Sequence, residues 1–245
     1  MASIASNIMT QQDAAVPEKE SITVLIVLDV SHSMFSCILS GEMKKAATVF
    51  LESCKSKYEN ATVIFTQFGS NINISEPMPI ATAEVPKLEA DGMTALYEAT
   101  CKTVEKAKSL AKKGILFIIT DGQDNSSQSE YSSEVFKTTI SDLKKKEWEI
   151  CFIGSNDQII KYGIRSGIPA ESCAAYDESQ PGSMFLLSRA VSNMMSSTDK
   201  TTPLDIRSLS TPKSRPGPSG PHPLLKRSRA VGHYAPSLTP KKLDL

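Results

Sequence analysis

The stretch Ile22-Thr23-Val24-Leu25-Ile26-Val27-Leu28-Asp29-Val30-Ser31-His32-Ser33-Met34 decides the fold. From Ile22 to Leu28 every residue is apolar or β-branched, the pattern of a strand covered on both faces in the middle of a parallel sheet. The run stops at a carboxylate, Asp29, and two hydroxyls follow, Ser31 and Ser33. Open α/β sheets bind ligands at the carboxyl ends of their strands, where the winding reverses, so this strand end is the first candidate site. If the backbone stays extended, Asp29, Ser31 and Ser33 alternate with Val30 and His32 and point to one side.

Working outward, residues 42–58 place Met43, Ala46, Ala47, Phe50, Leu51 and Cys54 at helical spacing. Residues 62–68 read as a second strand and Gly69-Ser70-Asn71 as a turn. Residues 72–79 read as an edge strand, because Pro77 and Pro79 cannot donate ladder hydrogen bonds. Residues 96–113 carry Leu96, Ala99, Val104, Ala107 and Leu110 in a helical pattern closed by Gly114, and a buried strand follows at 115–120. A polar loop at 121–130, a helix at 131–146 and a strand at 148–154 continue the alternation. One or two helical turns at 157–162, a short strand at 172–175 and a helix at 183–195 complete it. This order predicts an α/β fold, a doubly wound, Rossmann-like, mostly parallel sheet with one antiparallel edge strand. The expected boundaries are a loose arm at 1–19, a folded domain at 20–195 and a tail at 196–245.

The chain has 245 residues, 40% of them hydrophobic, with 27 basic and 27 acidic side chains. That suffices for one sizeable core and a tail. No apolar run approaches the roughly 20 residues that a membrane helix needs. Residues 1–18 show neither a basic start nor an apolar segment of secretory type, so the expected location is inside a cell. Five cysteines, Cys37, Cys54, Cys101, Cys151 and Cys173, form no C-x-x-C pair and are expected to be reduced. The neutral total hides a split, since residues 196–245 hold nine basic and three acidic side chains. With eight Pro and eight Ser among those residues and few large apolar side chains, the tail reads as disordered.

One further strand-to-loop junction matches the first, and a loop that leads into a helix lies between them. Residues 115–120 run into Asp121-Gly122-Gln123-Asp124-Asn125, and Asp91-Gly92-Met93-Thr94-Ala95-Leu96 leads into a helix. Asp29, Ser31, Ser33, Thr94 and Asp121 together form an all-oxygen donor set, suited to a hard divalent cation, Mg2+ or else Mn2+ or Ca2+, and not to zinc or copper.

With D-x-S-x-S at 29–33, G-x-T-x-L at 92–96 and T-D-G at 120–122, the sequence resembles the von Willebrand factor A (VWA) family and its metal-ion-dependent adhesion site over residues 22–195. The resemblance implies that Ser31 and Ser33 ligate the metal directly, while Asp29 holds coordinated waters and orients the serine hydroxyls. It also implies that Thr94 and Asp121 alternate between direct and water-mediated positions, and that an acidic side chain of a protein partner fills the open position. A direct Asp121 carboxylate would partly neutralise the cation, so its retreat strengthens the pull on an incoming anion. Where many relatives have Gly-Gly, Asp91-Gly92 stands here, and Asp91 is expected to add negative charge beside the metal. The wording of residues 148–157 and 162–168 is similar to that of intracellular stand-alone microbial and phage members. Family members also accompany AAA-type ATPases, which gives a second reading as a regulatory or adaptor subunit.

No enzyme is expected. His32 lies between two serines, but neighbouring side chains on an extended backbone point apart and no G-x-S-x-G elbow is present. Neither a phosphate-binding G-x-x-x-x-G-K-[ST] loop nor a G-x-G-x-x-G fingerprint occurs. Asp124 and Asn125 read as solvated loop residues. In the tail, Lys226, Arg227 and Arg229 with Lys241 and Lys242 leave three readings open: nuclear import, phosphate or nucleic-acid binding as a scaffold, or solubility. The expected location is therefore cytoplasmic, or nuclear through the tail. Thr202, Thr211 and Thr239 each precede proline and are candidate phosphorylation sites.

Overall fold

A computed structural model describes residues 22–110, 112–197 and 205–210. Along them run β1 (Ile22–Asp29), a 3-10 turn at His32–Met34, α1 (Phe35–Leu39) and α2 (Glu42–Lys57). Next come β2 (Thr62–Phe68), β3 (Ile72–Ile74), β4 (Met78–Pro79), α3 (Leu96–Ala107), β5 (Lys113–Thr120) and α4 (Ser133–Lys145). The last elements are β6 (Glu149–Gly154), α5 (Asp157–Arg165), β7 (Cys173–Ala175), α6 (Ser183–Ser197) and a 3-10 turn at Arg207–Leu209.

The uninterrupted apolar run is the middle of the sheet, because it has a partner on each edge and a helical layer on each face. β1 pairs in parallel with β2 and with β5, and the order is β3-β2-β1-β5-β6-β7. Val24, Ile26 and Leu28 pack with Met43, Phe50, Leu51, Leu187 and Val191 of α2 and α6. Leu25 and Val27 face the other way, toward Leu96, Val104, Phe136 and Ile140 of α3 and α4. The Phe50 and Phe117 rings stack at 3.8 Å between centroids, which seats α2 on β5. Sheet order reverses direction at β1, with β2 on one side and β5 on the other, and this places the carboxyl ends of β1 and β5 at the switch point.

The fold is the doubly wound, mostly parallel α/β class that the sequence predicts, with differences that have local causes. The antiparallel edge is two segments, β3 and β4, both paired with β2. Between them the Ser75 hydroxyl oxygen accepts from Phe65 N at 3.0 Å, replacing a ladder bond beside Pro77. Gly114 closes no helix, since α3 ends at Ala107 and Gly114 pairs with Thr23 inside the sheet. A Cβ on Gly114 would lie 2.2 Å from the Thr23 carbonyl oxygen and 2.7 Å from the Trp148 ring. α5 continues past Gly163, whose bare α-carbon lets the Phe152 ring approach.

The folded region extends beyond the boundary expected near residue 195. Ile206 is fully buried among the core residues that include Met184 and Leu187, and its N–H donates to Glu171 O at 2.7 Å. Ser210 Oγ accepts from Ala175 N at 3.1 Å, so this segment borders β7. The arm at 1–19 and the remaining tail positions, including Thr202, Thr211, Thr239, Lys226, Arg227, Arg229, Lys241 and Lys242, lie outside the described residues. All five cysteines are unpaired. No helix among the described residues is long and apolar enough to cross a membrane.

Candidate metal centre

Three loops meet at the carboxyl ends of β1 and β5, and backbone geometry fixes how closely. His32 N donates to Gly92 O at 2.9 Å, joining the 29–34 loop to the 91–95 loop. Gly92 sits at φ +52°, and an added Cβ would lie 2.1 Å from Ser70 Oγ. A Cβ on Gly69 would lie 1.8 Å from the Asp91 carbonyl oxygen. Glycine is needed at position 69 because the Asp91 backbone passes at contact distance, and at position 92 because of the left-handed φ and the Ser70 side chain beside it. On the other side, Thr94 N donates to Asn125 Oδ1 at 2.8 Å and Asn125 N donates to Thr94 O at 2.9 Å, which ties the 91–95 loop to the 121–128 loop.

Within this frame, Ser31 Oγ and Ser33 Oγ share a hydrogen bond of 3.0 Å, and Ser33 Oγ donates to Asp121 Oδ1 at 2.7 Å. Asp29 is fully buried; its Oδ1 accepts from Ser31 N at 2.8 Å and its Oδ2 from Thr120 Oγ1 at 2.5 Å. Thr94 is 3% exposed, and its hydroxyl lies over Gly122, where an added Cβ would come within 3.1 Å of Oγ1. Among the described residues no hydrogen bond engages Thr94 Oγ1. All five candidate residues are thus brought to one strand-end cluster.

The serines do not converge by extended alternation. β1 ends at Asp29, Ser31 caps the following 3-10 turn at φ −59° and ψ 165°, and Ser33 lies inside that turn. The turn, not a pleat, directs the Ser33 hydroxyl at Asp121. Asp29 orients the Ser31 backbone and Thr120, so Thr120, quoted in the sequence only as part of T-D-G, is a further member of the site. Its signal was a single hydroxyl at the end of an otherwise apolar strand. Asp124 and Asn125 are more than solvated loop residues, since Asp124 Oδ1 accepts from Tyr97 N at 3.1 Å and Asn125 holds Thr94. Asp91 turns its carboxylate to the hairpin, where Oδ2 accepts from Asn71 N at 2.8 Å and Asn71 Nδ2 at 3.0 Å. His32 stacks on Phe35 with ring centroids 6.3 Å apart.

Burial pushes the Asp29 carboxyl up to about 6 against the hydrogen bonds from Ser31 and Thr120, and the Asp121 charge adds to the rise. Burial likewise raises Asp121, opposed by the Ser33 hydrogen bond and reinforced by Glu178. Neither carboxylate has an ion-pair partner among the described residues. Two uncompensated carboxylates beside three hydroxyls, one of them without a hydrogen bond, fit a hard divalent cation. Among the described residues no group of three or more His, Cys, Asp or Glu could hold a metal ion, and this cluster brings only two such residues, Asp29 and Asp121, to its three hydroxyls.

No protein-family model matches the chain, and no curated protein matches it. Among solved structures, the fold is similar to a von Willebrand factor type A protein from Catenulispora acidiphila, with a TM-score of 0.53 and 17% identity over 74% of this chain. It is also similar to the pilus adhesin SpaC from Lactobacillus rhamnosus GG, with a TM-score of 0.51 and 12% identity over 71% of this chain. The chain spans 44% and 30% of the lengths of these two structures. At such identities the likeness is one of fold, and the fold is VWA-like.

Proposed function

We propose that the chain is a divalent-cation-dependent protein-interaction module that captures an acidic side chain of a protein partner. Ser31, Ser33 and Thr94 hold the cation through their hydroxyl oxygens, and Asp29 and Asp121 compensate its charge largely through water. Mg2+ is the first choice, with Mn2+ or Ca2+ as substitutes. When bound, the cation supplies a Lewis-acidic positive charge for a carboxylate. Keeping the direct protein ligands neutral leaves that charge available to the partner.

The observation that carries this reading is that buried Asp29, bonded to Ser31 N, and Asp121, bonded to Ser33 Oγ, meet at one hydroxyl cluster, neither with an ion-pair partner among the described residues. Burying ionised carboxylates uncompensated is costly, and a cation held between them removes the cost. Phe35, at the start of α1 just after Ser33, and Met93, beside Thr94, are 49% and 50% exposed, where a docked partner covers them. The partner need not meet Asp91, whose carboxylate is occupied by Asn71.

The test is affinity capture from an extract with the wild-type chain and with the Asp29→Ala plus Ser31→Ala double variant, each with magnesium or with chelator. Partners lost in the double variant and in chelator belong to the site. Recovery of the same partners under all four conditions overturns the reading.

A further inference from the structure

We infer that Asn125 is a positioning residue that latches Thr94 to the loop of Asp121, so that a cation meets both at one fixed spacing. This rests on the proposed metal centre and concerns what makes it rigid. Asn125 binds Thr94 from both directions, its Oδ1 accepting Thr94 N–H at 2.8 Å and its own N–H donating to Thr94 O at 2.9 Å. These bonds engage both backbone polar groups of the residue whose side chain is offered to the metal.

The latch is backed along its length. Asp124 Oδ1 accepts from Tyr97 N at 3.1 Å, Ser127 Oγ accepts from Glu98 N at 2.9 Å, and Glu98 Oε2 accepts from Gln128 N at 3.0 Å. Residues 124–128 therefore close against the first turn of α3 and satisfy N–H groups that a helix start leaves without intrahelical partners. Behind them, Asp124 N donates to Tyr162 Oη at 3.0 Å, Tyr162 Oη donates to Tyr97 Oη at 2.5 Å, and Tyr97 Oη shares a 2.9 Å bond with Ser166 Oγ. The backbones around Thr94 and Asp121 thus form one hydrogen-bonded body anchored to α3 and α5. Asn125 itself is solvent-exposed, so its constraint comes from these bonds and not from packing.

The test measures Mn2+ binding by calorimetry and by the paramagnetic resonance of bound Mn2+ in the full chain, with stability in chelator followed by circular dichroism. Asn125→Ala is expected to weaken Mn2+ binding about tenfold and to broaden the bound-Mn2+ spectrum, while its melting temperature in chelator stays near wild type. Asn125→Asp keeps the acceptor for Thr94 N–H and is expected to restore both. If Asn125→Ala does not fold, Tyr162→Phe is read in its place, with weaker Mn2+ binding expected. Wild-type affinity and line shape in Asn125→Ala, or in Tyr162→Phe where that variant stands in, overturn the latch. An Asn125→Asp variant as weak as the alanine does the same. Failure of the wild-type chain to take up Mn2+ overturns the metal centre itself, and the latch with it.

Discussion

Ser33 Oγ donates to Asp121 Oδ1 at 2.7 Å, across 88 positions of the chain. This bond joins the end of β1 to the end of β5 at the place where the sheet reverses its winding. Its removal loosens the centre without touching the core. Ser33→Ala is expected to lower Mn2+ affinity at least tenfold and to change melting temperature in chelator by only a few degrees, as calorimetry and thermal unfolding would measure. A large loss of stability without a loss of affinity contradicts the assignment.

Asp29 gives a prediction with a definite sign. Its carboxyl titrates near 6 in the metal-free fold, above its ordinary value of 3.8. The fold therefore holds the proton more tightly than the unfolded chain does. Its contribution to stability is fully present below about pH 4 and is lost as pH rises through 6, on the order of 3 kcal/mol. Asn fits the same place, accepting from Ser31 N and donating to the Thr120 hydroxyl. In chelator at pH 7, Asp29→Asn is expected to melt several degrees above wild type, while magnesium stabilises only the wild type. A destabilised Asp29→Asn protein in chelator contradicts the account.

The same shift sets the pH range of metal binding. Protons compete with the cation for Asp29, so Mn2+ affinity is expected to be flat above about pH 7 and to fall about tenfold per unit below about pH 6. Calorimetry between pH 5 and 8 checks this. A flat profile across that range excludes Asp29 from the charge that holds the metal.

Gly69 and Asp91 test the loop frame. An alanine methyl at position 69 has to displace the Asp91 carbonyl, 1.8 Å away, so Gly69→Ala is expected to shift the 91–95 loop and weaken metal binding. Heteronuclear NMR shifts are expected to concentrate at residues 30–33, 69–71 and 91–95. Shifts confined to residues 69–71, with unchanged metal affinity, show that the frame does not govern the site.

Much of this arrangement was legible in the residues. The run from Ile22 to Leu28 read as a strand covered on both faces, two of the motif fragments fell at strand-to-loop junctions, and the third fell on a loop that leads into a helix. The 3-10 turn at His32–Met34 and α1 were not legible, because α1 buries none of its residues and leaves no apolar stripe. The roles of Thr120 and Asn125 were hidden because each acts through a bond to a residue distant in sequence. The segment at 205–210 was masked by its Pro- and Ser-rich surroundings, with Ile206 and Leu209 as the only apolar anchors of its packing.

The most direct test of the central claim is titration calorimetry of Mg2+, Mn2+ and Ca2+ into the chelator-treated, folded full chain, beside an Asp29→Ala plus Ser31→Ala control. The account expects saturable uptake of one ion per chain by the wild type and none by the control. No heat of binding for any of the three ions in the folded wild type, or equal uptake by the control, contradicts it.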